Sequence, residues 1–422
     1  MTVVRSIRAL APVRVCDVGG WTDTWFGSPG QVCSVAVGPG IEVVADLVRP
    51  DSGARHRPPA VHLVAPDLGA DYRFDPTAVV NPRHPLLEHC VAEATAGRLE
   101  ALTATGPGHD LRVTIRSGVP VGASLGTSAS VMVALLAALD RLLHSPAEGS
   151  GDDADRVLVS PATELARRAH IVETGPAGRQ AGVQDHWAAA LGGFQHLVVD
   201  TYPEVRARPL AVADAVATEL GDRLVTVVFG PHDSSEVHDE VIHALLSCDG
   251  DAHLRVRQAT RKLSSLATVA AAALEAGDID GWADVLTRST VTQAELHARL
   301  VGPAHTAAID KVRALGAAGW KVNGAGGNGG SLTVVAGTGP GAASPAELRS
   351  HLTTLDPSWT TPDLQPSPGV SVQAHPVLWS QKAQPSHTLG LEEMIRRGRA
   401  RPLIDRRGPD EILGWDDDGL PT

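Results

Sequence analysis

The sequence reads as an α+β protein in two domains, and three features carry that reading. β-Branched segments with period-two alternation recur through the first third of the chain. Helical stretches interrupt them irregularly, where a doubly wound fold would alternate strictly. At 422 residues the chain is also long for a single core.

Taken in order, residues 3 to 15 alternate weakly and predict an edge strand that feeds a turn at Gly19 and Gly20. V-C-S-V-A-V-G-P-G-I-E-V-V-A-D-L-V, from Val32 to Val48, predicts two strands joined at Gly38 to Gly40. V-H-L-V-A-P-D and D-Y-R-F-D continue the sheet, H-P-L-L-E-H-C-V-A-E-A-T-A is a helix, and L-R-V-T-I-R-S is a further strand. A polar linker at 147–155 precedes a helix with Ser160 as its cap and Pro161 at its first position. A glycine-rich bend then leads to V-Q-D-H-W-A-A-A-L-G-G, a short helix with Gln184 and Asp185 in its first turn. F-Q-H-L-V-V-D is a strand, and L-V-T-V-V-F-G, from Leu224, opens the second domain. A turn at Ser234 and Ser235 starts a helix, residues 252–318 are helical with breaks near Gly277 and Gly281, and W-K-V-N-G-A-G-G-N-G-G-S-L-T-V-V-A-G is a glycine loop running into a strand. Residues 338–369 form a Pro/Gly/Ser-rich connector, S-V-Q-A-H-P-V-L is a last strand, and residues from Ser380 form a charged, loosely held tail. The domains expected are thus 1–220 and 221–379, with 380–422 as the tail.

Charge and composition exclude several classes. Lys plus Arg total 36 against 48 Asp plus Glu, a net charge of −12 with no basic run, which argues against nucleic acid as a partner. No apolar run approaches the ~20 residues that span a bilayer, and the N-terminal segment is too short and charged for a secretory signal. The four cysteines show no zinc or C-x-x-C spacing, so reduced thiols in the cytoplasm are expected.

The stretch with most chemical content is S-G-V-P-V-G-A-S-L-G-T-S-A-S-V followed by M-V-A-L-L-A-A-L-D-R-L-L. A glycine-rich turn passes straight into an apolar helix that starts near Thr127 or Ser128. First-turn amides have no partner inside a helix and sit at the positive end of its dipole, so they suit an anion. The hydroxyls of Ser124, Thr127, Ser128 and Ser130 add donors and a hard oxygen for Mg²⁺. A capped core helix would use the same residues, and no Walker motif occurs. Arg14, Asp17, Trp21, Thr22 and Asp23 crowd a Gly-Gly turn, which fits a sugar corner: a carboxylate for hydroxyls, an indole for a ring face. A surface turn with Asp23 as a local cap, Asp185 as an ordinary helix-start acid and Glu173 on an exposed helix face are the plainer alternatives.

Read together, R-V-x-x-x-G-G-W-T-D, P-x-G-x-S-L-G-T-S-A-S, E-x(11)-D and K-V-N-G-A-G-G-x-G-G occur in an order that resembles the GHMP kinase superfamily. The resemblance covers residues 8 to 337 and falls among the sugar 1-kinases of the heptose 7-phosphate, fucokinase-like and galactokinase-like kind, with G-G-W-T-D-T pointing to the heptose and fucose branch more than to galactokinase. It implies a two-domain GHMP kinase fold with the active site in the interdomain cleft. It also implies an ATP-dependent sugar kinase that transfers the γ-phosphoryl group to the anomeric C1 hydroxyl of a sugar or sugar phosphate such as a heptose 7-phosphate. Carried over residue by residue, the phosphate loop is Pro120, Gly122, Ser124, Leu125, Gly126, Thr127, Ser128, Ala129 and Ser130. Mg²⁺ falls to Ser128 and Glu173, the catalytic acid to Asp185, as base or as orienting acceptor, and the transition-state cation to Arg14. The substrate would meet Gly20, Trp21, Thr22, Asp23 and Asp185, with Gly324, Ala325 and Gly326 of the third motif. The sequence departs from the family pattern in three places: Thr127 stands where Ser is usual, Asn328 lengthens the third motif, and His186 replaces a common Gln. ATP and Mg²⁺ are the cofactors implied, the partners are a small sugar and a nucleotide, and a homodimer is left open. Two rivals remain: a kinase of the same superfamily acting on a non-sugar alcohol of mevalonate or homoserine type, and a catalytically silent sugar sensor.

Overall fold

The computed structural model describes residues 2–49, 60–99, 109–144, 156–233, 235–247 and 250–376. The expected linker at 147–155, Ser234 and the tail at 380–422 lie outside the described residues. The described residues fall within one compact unit, which runs to Val377.

Two strands carry the larger sheet. β1 (Thr2–Val18) and β2 (Gly30–Arg49) pair antiparallel over nearly their whole length. β2 is continuous where two strands were expected. Its glycines at 38 and 40 produce a bulge, and the register passes from Ala11↔Ile41 to Val13↔Val37. That bulge divides its other edge: β5 (Asp110–Ser117) pairs with Ile41 to Val48, β11 (Gln365–Pro366) with Val37 and Gly38, and β6 (Phe194–Thr201) with Gly30 to Val35. β3 (Val61–Ala65) runs parallel to β5, and β4 (Ala70–Phe74) closes that side. β7 (Glu204–Pro209), which the sequence reading did not identify, extends β6.

β1 is not an edge strand along its first half, because β12 (Ser371–Ala374) pairs with Ile7 to Leu10. Downstream of Leu10 no strand takes that edge among the described residues. The candidate site is built there.

Helices α1 (Pro85–Thr95), α2 (Thr127–Leu143), α3 (Ala162–Thr174) and α4 (Gln184–Leu191) cover one face of the sheet. α2 is apolar nearly all round, Met132 to Leu139 being buried, which suits a central helix between the sheet and its neighbours. Ser160 does not cap α3: Pro161 holds the cap position and the Ser160 hydroxyl donates to Asp140 at 2.7 Å. Buried Asp140 also accepts from Arg98 at 2.9 Å and from Arg168 at 2.6 Å, tying α2 to α3 and to the chain after α1.

The second sheet is β8 (Leu224–Asp233), β10 (Asn328–Val335) and β9 (Gly319–Val322), in that order and all antiparallel. α5 (Asp214–Arg223) leads into β8, and α6 (Ser235–Leu246), α7 (Asp251–Ala276), α8 (Ile279–Leu296), α9 (Pro303–Ala314) and α10 (Pro345–Leu355) complete the described helices. Gly281 breaks nothing, since its amide donates to the Asp278 side chain that caps α8. α10 sits where a connector was expected, begun by a Ser344–Glu347 capping box and packed by Leu348 and Leu352. α7 and α8 lay Leu266, Ala270, Leu274 and Trp282 against Val13, Val15 and Val35 of the large sheet, so the elements carrying the two sheets share a core. No described helix is long and apolar enough to cross a membrane.

Asp140→Ala removes the shared acceptor of two arginines inside this packing. We expect a loss of about 2 kcal/mol in stability, read as a lower urea midpoint with unchanged slope.

Candidate active site

A cavity of about 270 Å³ opens between the two sheets. It is lined by the glycine-rich loop that the sequence leads one to expect at a phosphate, and hydrogen bonding explains how that loop is oriented. Four successive carbonyls are held by donors from elsewhere: Gly122 by the His232 amide at 2.9 Å, Ala123 by the Ser331 hydroxyl at 2.7 Å, Ser124 by Arg14 Nη1, and Leu125 by the Arg14 amide at 3.0 Å. With its oxygens engaged, the loop leaves the first-turn amides of α2 as the groups without an intrahelical partner. Gly126 caps that helix at φ +75°, and Ser124, at φ +57°, is one of four non-glycine residues with positive φ among those described.

Asp185 sits directly over this loop. Arg14 donates to it twice, from Nε at 2.8 Å and from Nη2 at 3.2 Å. A Cβ at Gly126 would stand 3.1 Å from the Asp185 carboxyl, so glycine is what admits that acid so close to the helix start. Arg14 is only 4 % exposed. Burial opposes its charge, but Asp185, Asp17 and Asp23 more than compensate and hold its pKa above the ordinary value.

Glu173, near the end of α3, approaches from the other side. His186 Nε2 lies 2.8 Å from its Oε2. Burial works against the Glu173 charge, yet His186, the Ser128 hydroxyl and Arg179 outweigh it and keep its pKa low. A carboxylate and a hydroxyl in contact at a helix start are a donor set that fits Mg²⁺, which needs only one or two protein oxygens when phosphates supply others. Among the described residues no cluster of three or more His, Cys, Asp or Glu forms a metal cage.

On the acceptor side, buried Asp23 takes a hydrogen bond from the Gln184 amide at 2.9 Å. Its Oδ2 would lie 2.3 Å from a Cβ at Gly182, so the G-V-Q-D turn needs that glycine. Burial pushes the Asp23 carboxyl up to about 6. Trp21, at φ +81°, lines the cavity with its indole 4.5 Å from the His238 ring of α6.

The remaining residues named from sequence divide. Leu125, Thr127, Ser128, Gly324 and Ala325 line the cavity with Arg14, Asp23, Glu173 and Asp185. Gly20, Pro120, Ala129 and Gly326 do not line it. Thr22 is fully buried, its hydroxyl bonded to Gly19 and Gln31, and Ser130 donates to the Pro12 carbonyl at 2.6 Å. Both hydroxyls serve the fold beneath the site.

Sequence reading underrated three groups. Asp17 accepts from the Gly324 amide at 2.9 Å, and Asn323 accepts from the Cys16 amide at 3.0 Å while donating to Ser331 and Thr333. Lys321, buried in β9, donates to Gln293 at 2.8 Å, and Gln293 donates to the Gly324 carbonyl at 3.0 Å. Together they pin the third glycine motif to β1. The extra Asn328 is absorbed as a register irregularity against β8 between Asn328 and Gly330.

A second cavity of about 420 Å³ shares Gly122, Thr127, Ser128, Arg179 and His232 with the first and continues into an apolar wall that includes Leu68, Leu86 and Ile115.

Asp23 yields a signed prediction. Its folded pKa lies above the unfolded value, so folding loses stability as pH rises between the two, and the loss is complete above pH 6. Asp23→Asn keeps the acceptor for Gln184 without the buried charge. It should raise stability by about 2 kcal/mol at pH 8, with the gain gone by pH 4 in thermal unfolding.

Comparison with known proteins agrees with this geometry. Residues 89–193 match the family model for the GHMP kinases N terminal domain. Over 89 residues the chain is 36 % identical to a mevalonate kinase from Thermococcus onnurineus, a match that spans 21 % of this chain and 22 % of that protein. A D-glycero-D-manno-heptose 1-phosphate kinase from Bacteriodes thetaiotaomicron superposes with a TM-score of 0.60 at 19 % identity, covering 87 % of this chain and 98 % of its own. Lactococcus lactis galactokinase, solved with galactose, gives 0.63 at 15 % identity, covering 86 % and 94 %. Residues 89–193 thus match the GHMP kinases N terminal domain, and the chain shares the fold of these solved kinases.

Proposed function

We propose that the protein is an ATP-dependent kinase that phosphorylates the anomeric C1 hydroxyl of a sugar or sugar phosphate such as a heptose 7-phosphate. The observation that carries this reading is the contact between Asp185 and the phosphate loop. An acid held by Arg14 stands over a helix start whose four preceding loop carbonyls, Gly122 to Leu125, are held by donors from elsewhere in the chain. Phosphoryl transfer asks for that arrangement, alignment and charge with little covalent work.

The acceptor hydroxyl oxygen forms the new bond to the γ-phosphorus while the bond to the bridging oxygen breaks and its electron pair leaves with ADP. Asp185 takes or orients the hydroxyl proton. Arg14 fixes the Asp185 carboxylate through two parallel bonds, and its Nη1 ties the same group to the Ser124 carbonyl. Ser128 and Glu173 would hold Mg²⁺, which when bound neutralises polyphosphate charge. Thr127 and Ser128, which line both cavities, would hold the triphosphate, and the apolar wall of the second cavity would take the base.

The sugar assignment rests on Asp23 and Trp21. A buried carboxylate beside an indole at the cavity wall suits an acceptor with hydroxyls on one side and a C–H face on the other. The expected division at 220/221 falls inside α5, just ahead of β8, the first strand of the second sheet, and β11 and β12 return from beyond it to the first sheet.

Asp185→Asn should lower turnover by ~10² or more while leaving ATP affinity nearly intact; near-normal turnover would refute the role given to Asp185. Reducing sugars and their terminal phosphates, screened with Mg·ATP by ADP release, should give a product whose new phosphorus resonance couples to the anomeric proton. Turnover only with mevalonate or homoserine would move the acceptor to the non-sugar class.

A further inference from the structure

The charges around the cavity single out one cation. Three of the five Arg14 guanidinium N–H groups are engaged, Nε and one on Nη2 with Asp185 and one on Nη1 with the Ser124 carbonyl, and these bonds fix its plane. Lys321 does not line the cavity, and its amine donates to Gln293 and to the Val322 carbonyl, 3.9 Å from Asp17. Arg179 is different. It lines both cavities, its side chain is exposed, and among the described residues its guanidinium has no ion pair within 4.0 Å, although its charge is felt by Glu173.

The loop that presents Arg179 is fastened at several points. The Arg179 amide donates to the Glu173 carbonyl at 2.9 Å, Ala177 to Val172 at 3.1 Å, and the Tyr202 hydroxyl to the Ala181 carbonyl at 3.0 Å. At its far end the Val183 amide donates to the Asp23 carbonyl at 3.3 Å. A planar cation on a long stem is thus carried by a tied backbone to the boundary between the two cavities. A guanidinium presents several donors in a fork that matches phosphate oxygens.

We propose that Arg179 clamps the terminal phosphate of the nucleotide, and that Arg14 is a positioning residue which acts through Asp185. The proposal rests on the kinase reading above, because that reading puts the γ-phosphate where the two cavities meet. It reassigns the cation that the family resemblance placed at Arg14. Three of the five Arg14 donors already have partners, and turning the guanidinium toward the transferred group would cost the bonds that aim Asp185. Arg179 has donors to give.

Binding separates the possibilities without a known acceptor. Mg·ATP, Mg·ADP and AMP are titrated calorimetrically into the full chain and into Arg179→Gln and Arg179→Lys. Losing a charge-assisted contact to the γ-phosphate should weaken Mg·ATP by about tenfold or more in Arg179→Gln. Mg·ADP should change by less than about threefold, and AMP not at all, with Arg179→Lys recovering part of the loss. Because the side chain is exposed, unchanged melting temperatures should show that the variants fold. Equal weakening of all three nucleotides, or Mg·ATP affinity equal to that of the unaltered chain, overturns the clamp while leaving the kinase reading intact. An unaltered chain that binds none of the three nucleotides removes both.

Discussion

The open edge of β1 between Arg14 and Val18 is the constraint from which the candidate site follows. An exposed strand edge offers unpaired amides, which natural folds cover. Here the covering groups are two loops. The Leu125 carbonyl takes the Arg14 amide and the Asn323 side chain takes the Cys16 amide. Because both loops are indexed to one strand, the phosphate loop and the third glycine motif are placed relative to each other, and Ser331 closes the triangle by donating to Ala123. Gly324 and Gly330 meet Ser124 so closely that a Cβ at either would crowd it.

Charge is handled locally in a chain that is acidic overall. Asp185 has Arg14, and Asp17 has Lys321 at 3.9 Å and the Gly324 amide. Asp23 has no cation among its hydrogen-bond and ion-pair partners, only the Gln184 amide, and burial raises its pKa. A buried carboxylate held on those terms opposes stability, which is the usual mark of a group retained for what it binds.

What could be read from the sequence divides along the range of the interactions. The turn from Gly118 to Gly126 and the start of α2 were legible because glycine placement and first-turn chemistry are local. The motif order also led to the expectation that Glu173 and Asp185 converge, and both line the one cavity. The Thr22 and Ser130 hydroxyls were read as facing a ligand, yet their partners, Gln31 and the Pro12 carbonyl, are fixed by packing that residue type does not encode. Lys321 shows the same limit, since its partner Gln293 is supplied by tertiary structure alone. α10 was legible after all: S-P-A-E is a capping box, and the proline-rich composition around it outweighed a good local signal.

The pairing of β12 with β1 has a consequence for biosynthesis. Ile7 meets Ala374, and Asp17 meets Gly324, so a ribosome must deliver most of the described polypeptide before either contact exists. Until then, the first strand to emerge carries an uncovered edge and an unsatisfied acid. A nascent chain of this protein thus exposes that edge through most of its translation, and the groups of the candidate site are brought together only late.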